Sequence, residues 1–449
     1  MNVRSRAALV ALLVVFSGCG GGGGSSPNPV APSPTPRPQA IAHVVIVVQE
    51  NRSLDNMFPG FPGADAPDYG YDGTTRVPLT NHPLEAPGQV ANSWANGILS
   101  WDGGKMDGFA NEQLSSGNPL LPYSRVPAAE SAPYWAMARQ YVLADHMFPT
   151  EFGPSFTGHL NLIGGNTELI PGQEAEADQP FALLWGCDAP AGTGTYTIDA
   201  MRVESQNGPF PCFTQFRTMA DVLDGGGISW KYYAPSIASG LAGQAWTEFG
   251  AIRSVRYGPD WAKIVSPETT VLTDIANHSL PSVSWVIPDL MNSDHPATGG
   301  NMGPSWVSAI VNAIGEGSYW KSTVVVVVWD DWGGWYDDAP PPQLDYRGLG
   351  IRVPCIVISP YARIAPGAKA GYVSHTQYEF GSILRFVEDT FGLPVIGSVA
   401  DGYTDARATS IGDVLDPAQS PRAFTPIQAP YPPSAFMRER PSLRPPDDH

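Results

Sequence analysis

The chain has 449 residues, 43% of them apolar, enough for a large core, and its 48 glycines and 46 prolines argue for a loop-rich domain rather than a helical repeat array. Acidic residues outnumber basic ones 43 to 25, so the overall field repels nucleic acid and disfavours a basic membrane-binding face. Any anionic ligand has to be held by a local cation.

Residues 1–18 read as an export signal: Arg4 and Arg6 precede an apolar run from Ala7 to Phe16, followed by Ser17-Gly18-Cys19. The run is too short for a comfortable membrane span. A cysteine directly after Ser-Gly resembles a bacterial lipoprotein signal, which predicts a lipid anchor at Cys19 and an outer-membrane lipoprotein; the alternative is an ordinary periplasmic or extracellular protein with an incidental cysteine. Residues 19–40, rich in glycine, serine and proline, read as a flexible tether. Residues 41–449 are then expected to form one domain with long loop insertions and a proline-rich tail. Losing residues 1–18 removes two arginines and no acid, leaving 23 basic residues against 43 acidic, a net charge of about −20.

The first strand pattern is His43–Val48, an almost unbroken apolar run that ends in Gln49-Glu50-Asn51-Arg52. Weakly periodic insertions at 60–130 and 165–225 read as loops framing a site. Between them, Gly153-Pro154-Ser155 opens an apolar helical pattern, which puts Ser155 at a helix N-terminus, where backbone N–H groups favour an anion. A hydroxyl so placed can serve as a nucleophile toward phosphorus with a metal to lower its pKa, although serine at a helix start is more often a cap. Cys187 and Cys212 bracket a Gly/Pro-rich loop and are expected to form a disulfide in an exported protein.

Further strands are predicted over 228–234, 282–287, 323–329 and 353–358, the last holding Cys355 as an inert core thiol. Helices are predicted over 305–314 and 376–393, where Phe380, Ile383, Leu384, Val387 and Phe391 form one stripe. No Cys/His spacing suggests a structural zinc site. Alternating strands and helices imply an α/β fold with a mostly parallel sheet covered on both faces.

Strand 323–329 ends in Asp330-Asp331, the same grammar as the first strand. Ligands of parallel sheets sit beyond the carboxyl ends of the strands. Glu50, Asn51, Asp330 and Asp331 brought together there form an all-oxygen set that suits a hard divalent ion such as Mg²⁺, Ca²⁺ or Mn²⁺; each acidic pair alone could simply cap a helix or mark a turn. His159, His295 and His375 are the histidines placed to bind phosphate or protonate a leaving group, with His295, just after strand 282–287, the best placed. Arg52 either touches phosphate or pairs with Asp55.

These stretches match a family. "QENRSLDNMF" resembles the Glu-Asn-Arg-Ser-Phe-Asp signature of the bacterial phosphoesterase family that contains acid phosphatases and phospholipases C, "FGPSFTGH" its nucleophile segment, "SDHP" its acidic-His-Pro motif, and "VVVVVWDDWGGWYDDAPPP" its strand-Asp-Asp block. The matches keep family order from about residue 41 to 395. The resemblance implies an alkaline-phosphatase-like three-layer α/β/α sandwich and a metal-assisted hydrolysis in which Ser155 is phosphorylated. It assigns Glu50, Asn51, Asp330 and Asp331 to the metal and its phosphate surroundings, and His295 to phosphate or the leaving group; His159 and His375 are candidate substrate contacts. The sequence departs from the pattern at Asp338, where many relatives carry His, and at Thr157-Gly158. The acidic surface and the lack of an obvious membrane-docking helix favour phosphomonoesters. The aromatic loops holding Trp94, Trp101, Trp332 and Trp335 favour phospholipid diesters, and an inactive surface binding protein is the non-enzymatic alternative.

Overall fold

Two valine-rich segments decide the architecture. Val44–Val48 and Val324–Val328 are almost fully excluded from solvent, and β-branched residues so buried need packed layers on both sides. The computed structural model describes residues 41–85, 90–112, 117–170, 172–181, 185–237, 245–296 and 301–440; the expected export signal and tether over residues 1–40 lie outside them. Residues from Ala40 onward cluster as a unit of their own.

Among the described residues the central sheet has eight strands: β1 (His43–Gln49), β2 (Val142–Ala144), β3 (Trp230–Tyr233), β4 (Ile264–Val265), β5 (Val283–Val286), β6 (Thr323–Trp329), β7 (Cys355–Ile358) and β8 (Tyr372–Ser374). Their order is β4-β3-β5-β1-β6-β7-β2-β8. β7 runs antiparallel to both neighbours, and the other pairings are parallel. β1 and β6 pair over their whole lengths, from His43 opposite Thr323 to Gln49 opposite Trp329. Their polar continuations therefore leave the sheet side by side.

Two helix layers enclose the sheet in a three-layer α/β/α sandwich. Among its helices are α1 (Ala128–Gln140), α2 (Ser155–Gly164), α3 (Met219–Gly225), α4 (Thr270–Ala276), α5 (Gly303–Glu316) and α6 (Phe380–Phe391). α2 packs with α3 and α6, while α5 packs with α1 and α4. α6 begins at Phe380 rather than Thr376 because Glu379 caps it, its side chain and that of Ser382 forming a reciprocal capping box. Its stripe of Phe380, Ile383, Leu384 and Val387 is wholly buried.

Cys187 and Cys212 are disulfide-bonded, and Cys355 is a buried free thiol whose pKa burial pushes up. The insertions carry small sheets, one formed by Tyr69–Asp72 and Thr75–Pro78, another by Ala175–Pro180, Thr195–Asp199 and Glu204–Ser205. The proline-rich tail is anchored: Phe424 packs on Trp320 and Phe436 on Trp306.

Candidate active site at the carboxyl ends of β1 and β6

The ladder between β1 and β6 continues past both strands. Asp330 N–H donates to Gln49 O at 2.9 Å and Arg52 N–H to Asp331 O at 3.0 Å. Between these rungs Asn51 adopts a left-handed backbone, φ 58°, which asparagine tolerates better than most residues. Its N–H donates to Asp330 Oδ1 at 2.8 Å. The chain after Asp331 turns back through Gly333, φ +63°, where a Cβ would lie 2.1 Å from Asn51 O. Only glycine fits so close an approach.

α2 lays its first turns across these strand ends. Ser155 is its first residue, after Pro154, and is completely buried. The Ser155 hydroxyl lies 3.2 Å from Asp331 Oδ2 and 3.5 Å from Asn51 Oδ1. Asn92 Nδ2 donates to the same Asp331 Oδ2 at 2.9 Å, and Gly333 N–H donates to Asp331 Oδ1 at 2.6 Å. One helical turn beyond Ser155, on the same face, His159 Nε2 lies 3.1 Å from Glu50 Oε1 and 3.8 Å from Asp330 Oδ2. The helix can come this near because residue 158 is glycine: a Cβ there would sit 2.4 Å from Asp330 O.

The donor atoms of Glu50, His159 and Asp330 all lie within 4.8 Å of one another, and all three residues are buried. Asp330 Oδ2 is sealed from solvent with no hydrogen-bond partner. Buried carboxylates crowded this way need positive charge between them, so the residues present fit a divalent cation. Glu50, His159 and Asp330 form one half of the constellation, and Asn51, Asp331 and Ser155 the other. His159, expected to touch substrate, instead stands among the carboxylates and adds a nitrogen to the all-oxygen set.

His295 reaches the neighbourhood through the loop after β5. Gln49 clamps that loop, donating from Nε2 to Asn292 O at 3.1 Å and accepting Asp294 N–H on Oε1 at 2.9 Å. The His295 Nδ1 is held by Pro296 O at 2.9 Å. Its ring centroid lies 5.9 Å from that of Trp246, whose other neighbour is His159 at 6.5 Å. Asp294 turns the opposite way and accepts from Tyr134 Oη at 2.7 Å and Trp329 Nε1 at 3.1 Å; burial pushes its pKa up to about 6.

Three expectations fail for physical reasons. His375 is not brought to Ser155: it follows β8, three strand positions from β6 or roughly 14 Å away, and its Nδ1 pairs with Asp145 Oδ2 at 2.9 Å. Arg52 neither pairs with Asp55 nor is available as an exposed phosphate clamp. Its guanidinium, fully buried over Trp335, donates to Asp294 O, Leu84 O and Asn56 Oδ1, and burial lowers its pKa to about 10. Asp55 pairs instead with Arg352, which also holds Asp337 and Asp338; the departure at Asp338 thus belongs to that arginine's network. Three of the four loop tryptophans are core, not rim: Trp332 packs with Trp94 and Phe152, and Trp335 with Val90 and Leu121, while Trp101 is half-buried against the first of these groups.

Asn92 and Trp246 were invisible to sequence reasoning because both stand in stretches without periodicity. His159 carried a usable signal, its spacing of four from Ser155 on one helix.

A sequence model of the Phosphoesterase family matches residues 41–394. The chain belongs to this family. It is a phosphoric ester hydrolase. Relatives include phospholipase C A of Mycobacterium tuberculosis, 28% identical over 450 residues with 85% of this chain and 79% of the relative covered, and phospholipase C B of the same organism, 25% identical with 83% and 77% covered. The non-hemolytic phospholipase C of Pseudomonas aeruginosa is 24% identical over 79% of this chain and 54% of its own. Among solved structures, a protein of the alkaline phosphatase superfamily from Vibrio parahaemolyticus overlaps 79% of this chain and 67% of its own at 12% identity and a TM-score of 0.35. Among the described residues, no helix of this phosphoesterase is long and apolar enough to cross a membrane.

Proposed function

We propose that this phosphoesterase hydrolyses phospholipid-type phosphodiesters through a phosphoserine at Ser155. The observation that carries the reading is the Ser155 hydroxyl, buried at a helix start and aimed at Asp331 and Asn51 beside the Glu50–His159–Asp330 group. Asp331 Oδ2 accepts the hydroxyl proton, and the carboxylate is held in place by Asn92 Nδ2 on that oxygen and by Gly333 N–H on Oδ1. The start of α2 offers backbone N–H groups to the phosphoryl oxygens, where developing charge is greatest. Asn51 supports the Ser155 hydroxyl from the other side. His295, oriented by Pro296 O through Nδ1, protonates the leaving alcohol from Nε2; water then attacks the phosphoserine, giving its proton to His295, and the Ser155 oxygen leaves and takes its proton back from Asp331.

Glu50, His159 and Asp330, with Asn51 and Asp331 on the Ser155 side, would hold a divalent ion that neutralises phosphoryl charge and lowers the pKa of the serine hydroxyl. The mixed nitrogen and oxygen donors move the preference from Mg²⁺ and Ca²⁺ toward Mn²⁺ or Zn²⁺.

The diester assignment rests on the phospholipases C that align over most of the chain. A phosphomonoesterase is the second reading, favoured by the acidic composition and by the burial of Trp332 and Trp335, which removes them as a lipid-facing rim. Export, to the periplasm, the outer membrane or the medium, is supported by the disulfide, which forms in oxidising compartments. Ser155→Ala is expected to abolish turnover of both p-nitrophenyl phosphate and p-nitrophenylphosphorylcholine with unchanged circular dichroism. Hydrolysis near the wild-type rate by that variant sinks the nucleophile assignment. The wild-type ratio between the two substrates separates diesterase from monoesterase.

A further inference from the structure

Three segments distant in sequence bring a second set of metal-ligating side chains together at the β2–β8 side of the sheet. Asp145 and His146 follow β2, His375 follows β8, and Asp65 comes from the loop beyond the one-turn helix Leu54–Met57. The Asp145 carboxylate forms a fully buried floor. It accepts Asp65 N–H on Oδ2 at 2.9 Å and faces His375 Nδ1 at 2.9 Å and His146 Nδ1 at 3.9 Å. His146 lies with Nδ1 3.1 Å from His375 O and Nε2 3.4 Å from Asp65 Oδ2, its ring stacked on Phe148. Ligand atoms from Asp145, His146 and His375 all fall within 4.8 Å of one another. The edge of a tetrahedral zinc site is about 3.3 Å, from bonds near 2.0–2.1 Å, so the ligand atoms need to draw together by no more than about 1.5 Å. The His375 side chain is 59% exposed and that of Asp65 57%, which leaves an open path for an ion and for water to complete its shell.

Charge argues the same way. On this side the Arg352 guanidinium donates to the backbone O of Asp145, not to its carboxylate. Its charge is taken by Asp55, Asp337 and Asp338. Asp65 is close enough to Asp338 to push that carboxyl's pKa upward, with burial the larger cause. Among the described residues, the five carboxylates of Asp55, Asp65, Asp145, Asp337 and Asp338 thus face Arg352 and two imidazoles. Two imidazoles over a carboxylate floor make a donor set for borderline ions rather than for Mg²⁺ or Ca²⁺.

We propose that Asp145, His146 and His375, with Asp65 at the rim, bind a divalent ion of the zinc class and so staple the loop at residue 65 to the ends of β2 and β8. The role is structural: the site touches none of the residues around Ser155.

The test uses the full chain stripped with chelator, re-equilibrated with Zn²⁺ and freed of loose ion by gel filtration, with bound zinc counted by atomic emission. An Asp330→Asn variant, crippled at the Ser155 group, is expected to retain one equivalent and to melt at higher temperature with Zn²⁺ than without. His146→Gln with His375→Gln, in that same background, is expected to lose the equivalent and the thermal shift, with zinc affinity at least ~100-fold weaker, as expected when direct ligands are removed. In the wild-type background the double variant keeps hydrolysis within two-fold. Absence of bound zinc in Asp330→Asn, or unchanged binding in the double variant, overturns the proposal; neither result bears on Ser155, whose reading is tested by turnover. Both histidines are partly exposed, so substitution leaves the core intact, and circular dichroism verifies this.

Discussion

Replacing Gly158 by alanine sets two effects of opposite sign against each other. In an ordinary helix interior the change stabilises by ~1 kcal/mol, because glycine surrenders more backbone entropy. Here the new Cβ would meet Asp330 O at 2.4 Å, whereas ordinary contact begins near 3.4 Å, so α2 and the end of β6 must part by about 1.0 Å. Overpacking of that size costs ~1–3 kcal/mol, leaving a net destabilisation of ~0–2 kcal/mol. Activity suffers more. The displaced helix carries both Ser155 and His159, and a 1 Å error in catalytic geometry costs on the order of 100-fold in rate. The expected result is a midpoint in urea close to wild type together with a kcat/KM on p-nitrophenylphosphorylcholine lowered by about two orders of magnitude. An alanine variant that is ~1 kcal/mol more stable and retains a third or more of the activity would show that α2 does not bear on Asp330, and the close-approach argument would fall.

Other outcomes are equally specific. Prolonged dialysis against chelator is expected to remove hydrolysis, and Mn²⁺ or Zn²⁺ to restore it better than Ca²⁺; full activity in chelator refutes an ion at Glu50, His159 and Asp330. Arg352→Met strands Asp55 and Asp337 in the core and is expected to cost ~3–5 kcal/mol by urea unfolding. Asp294 binds its proton more tightly folded, at about 6 against 3.8 for the ordinary side chain. Stability from this group is therefore complete below pH 4 and falls by about 3 kcal/mol as pH rises to about 6. Asp294→Asn should flatten that part of the urea-derived pH profile, and an unaltered profile rejects the assignment. Serine at both Cys187 and Cys212, which are 25 residues apart, is expected to cost ~3.5 kcal/mol by the chain-entropy relation.

The parts of the molecule that could be read from residues alone are those where one local pattern decides. The valine runs of β1 and β6 admit one environment, a sheet covered on both faces, and the polar residues after them can only emerge at its carboxyl edge. Ser155 follows Gly153-Pro154 and so announces a helix start. β2, β4 and β8, with two or three residues each, are too short to show periodicity. α1 carries Pro133 inside it and no clear apolar face, so its place is set by packing against α5. Asn92 lies in a loop whose path depends on the turn at Gly333-Gly334 bringing Trp332 and Trp335 inward. The same turn explains why tryptophans that suggested a lipid-facing rim are core. His375 illustrates the converse limit: its position after a strand was readable, but the strand's place in the sheet was not.

The pairing of β1 with β6 also has a meaning in time. Asn51 and Asp330 are 279 positions apart, and at ~5–20 residues per second of synthesis roughly 15–55 s separate their appearance. For that interval Glu50 and Asn51 end a strand that has at most its β5 edge to pair with, and Ser155 has no Asp331 beside its hydroxyl. The Ser155–Asp331 contact is thus absent from every nascent chain shorter than about three quarters of its length. A chain still being threaded through a narrow channel cannot yet bring these two halves together.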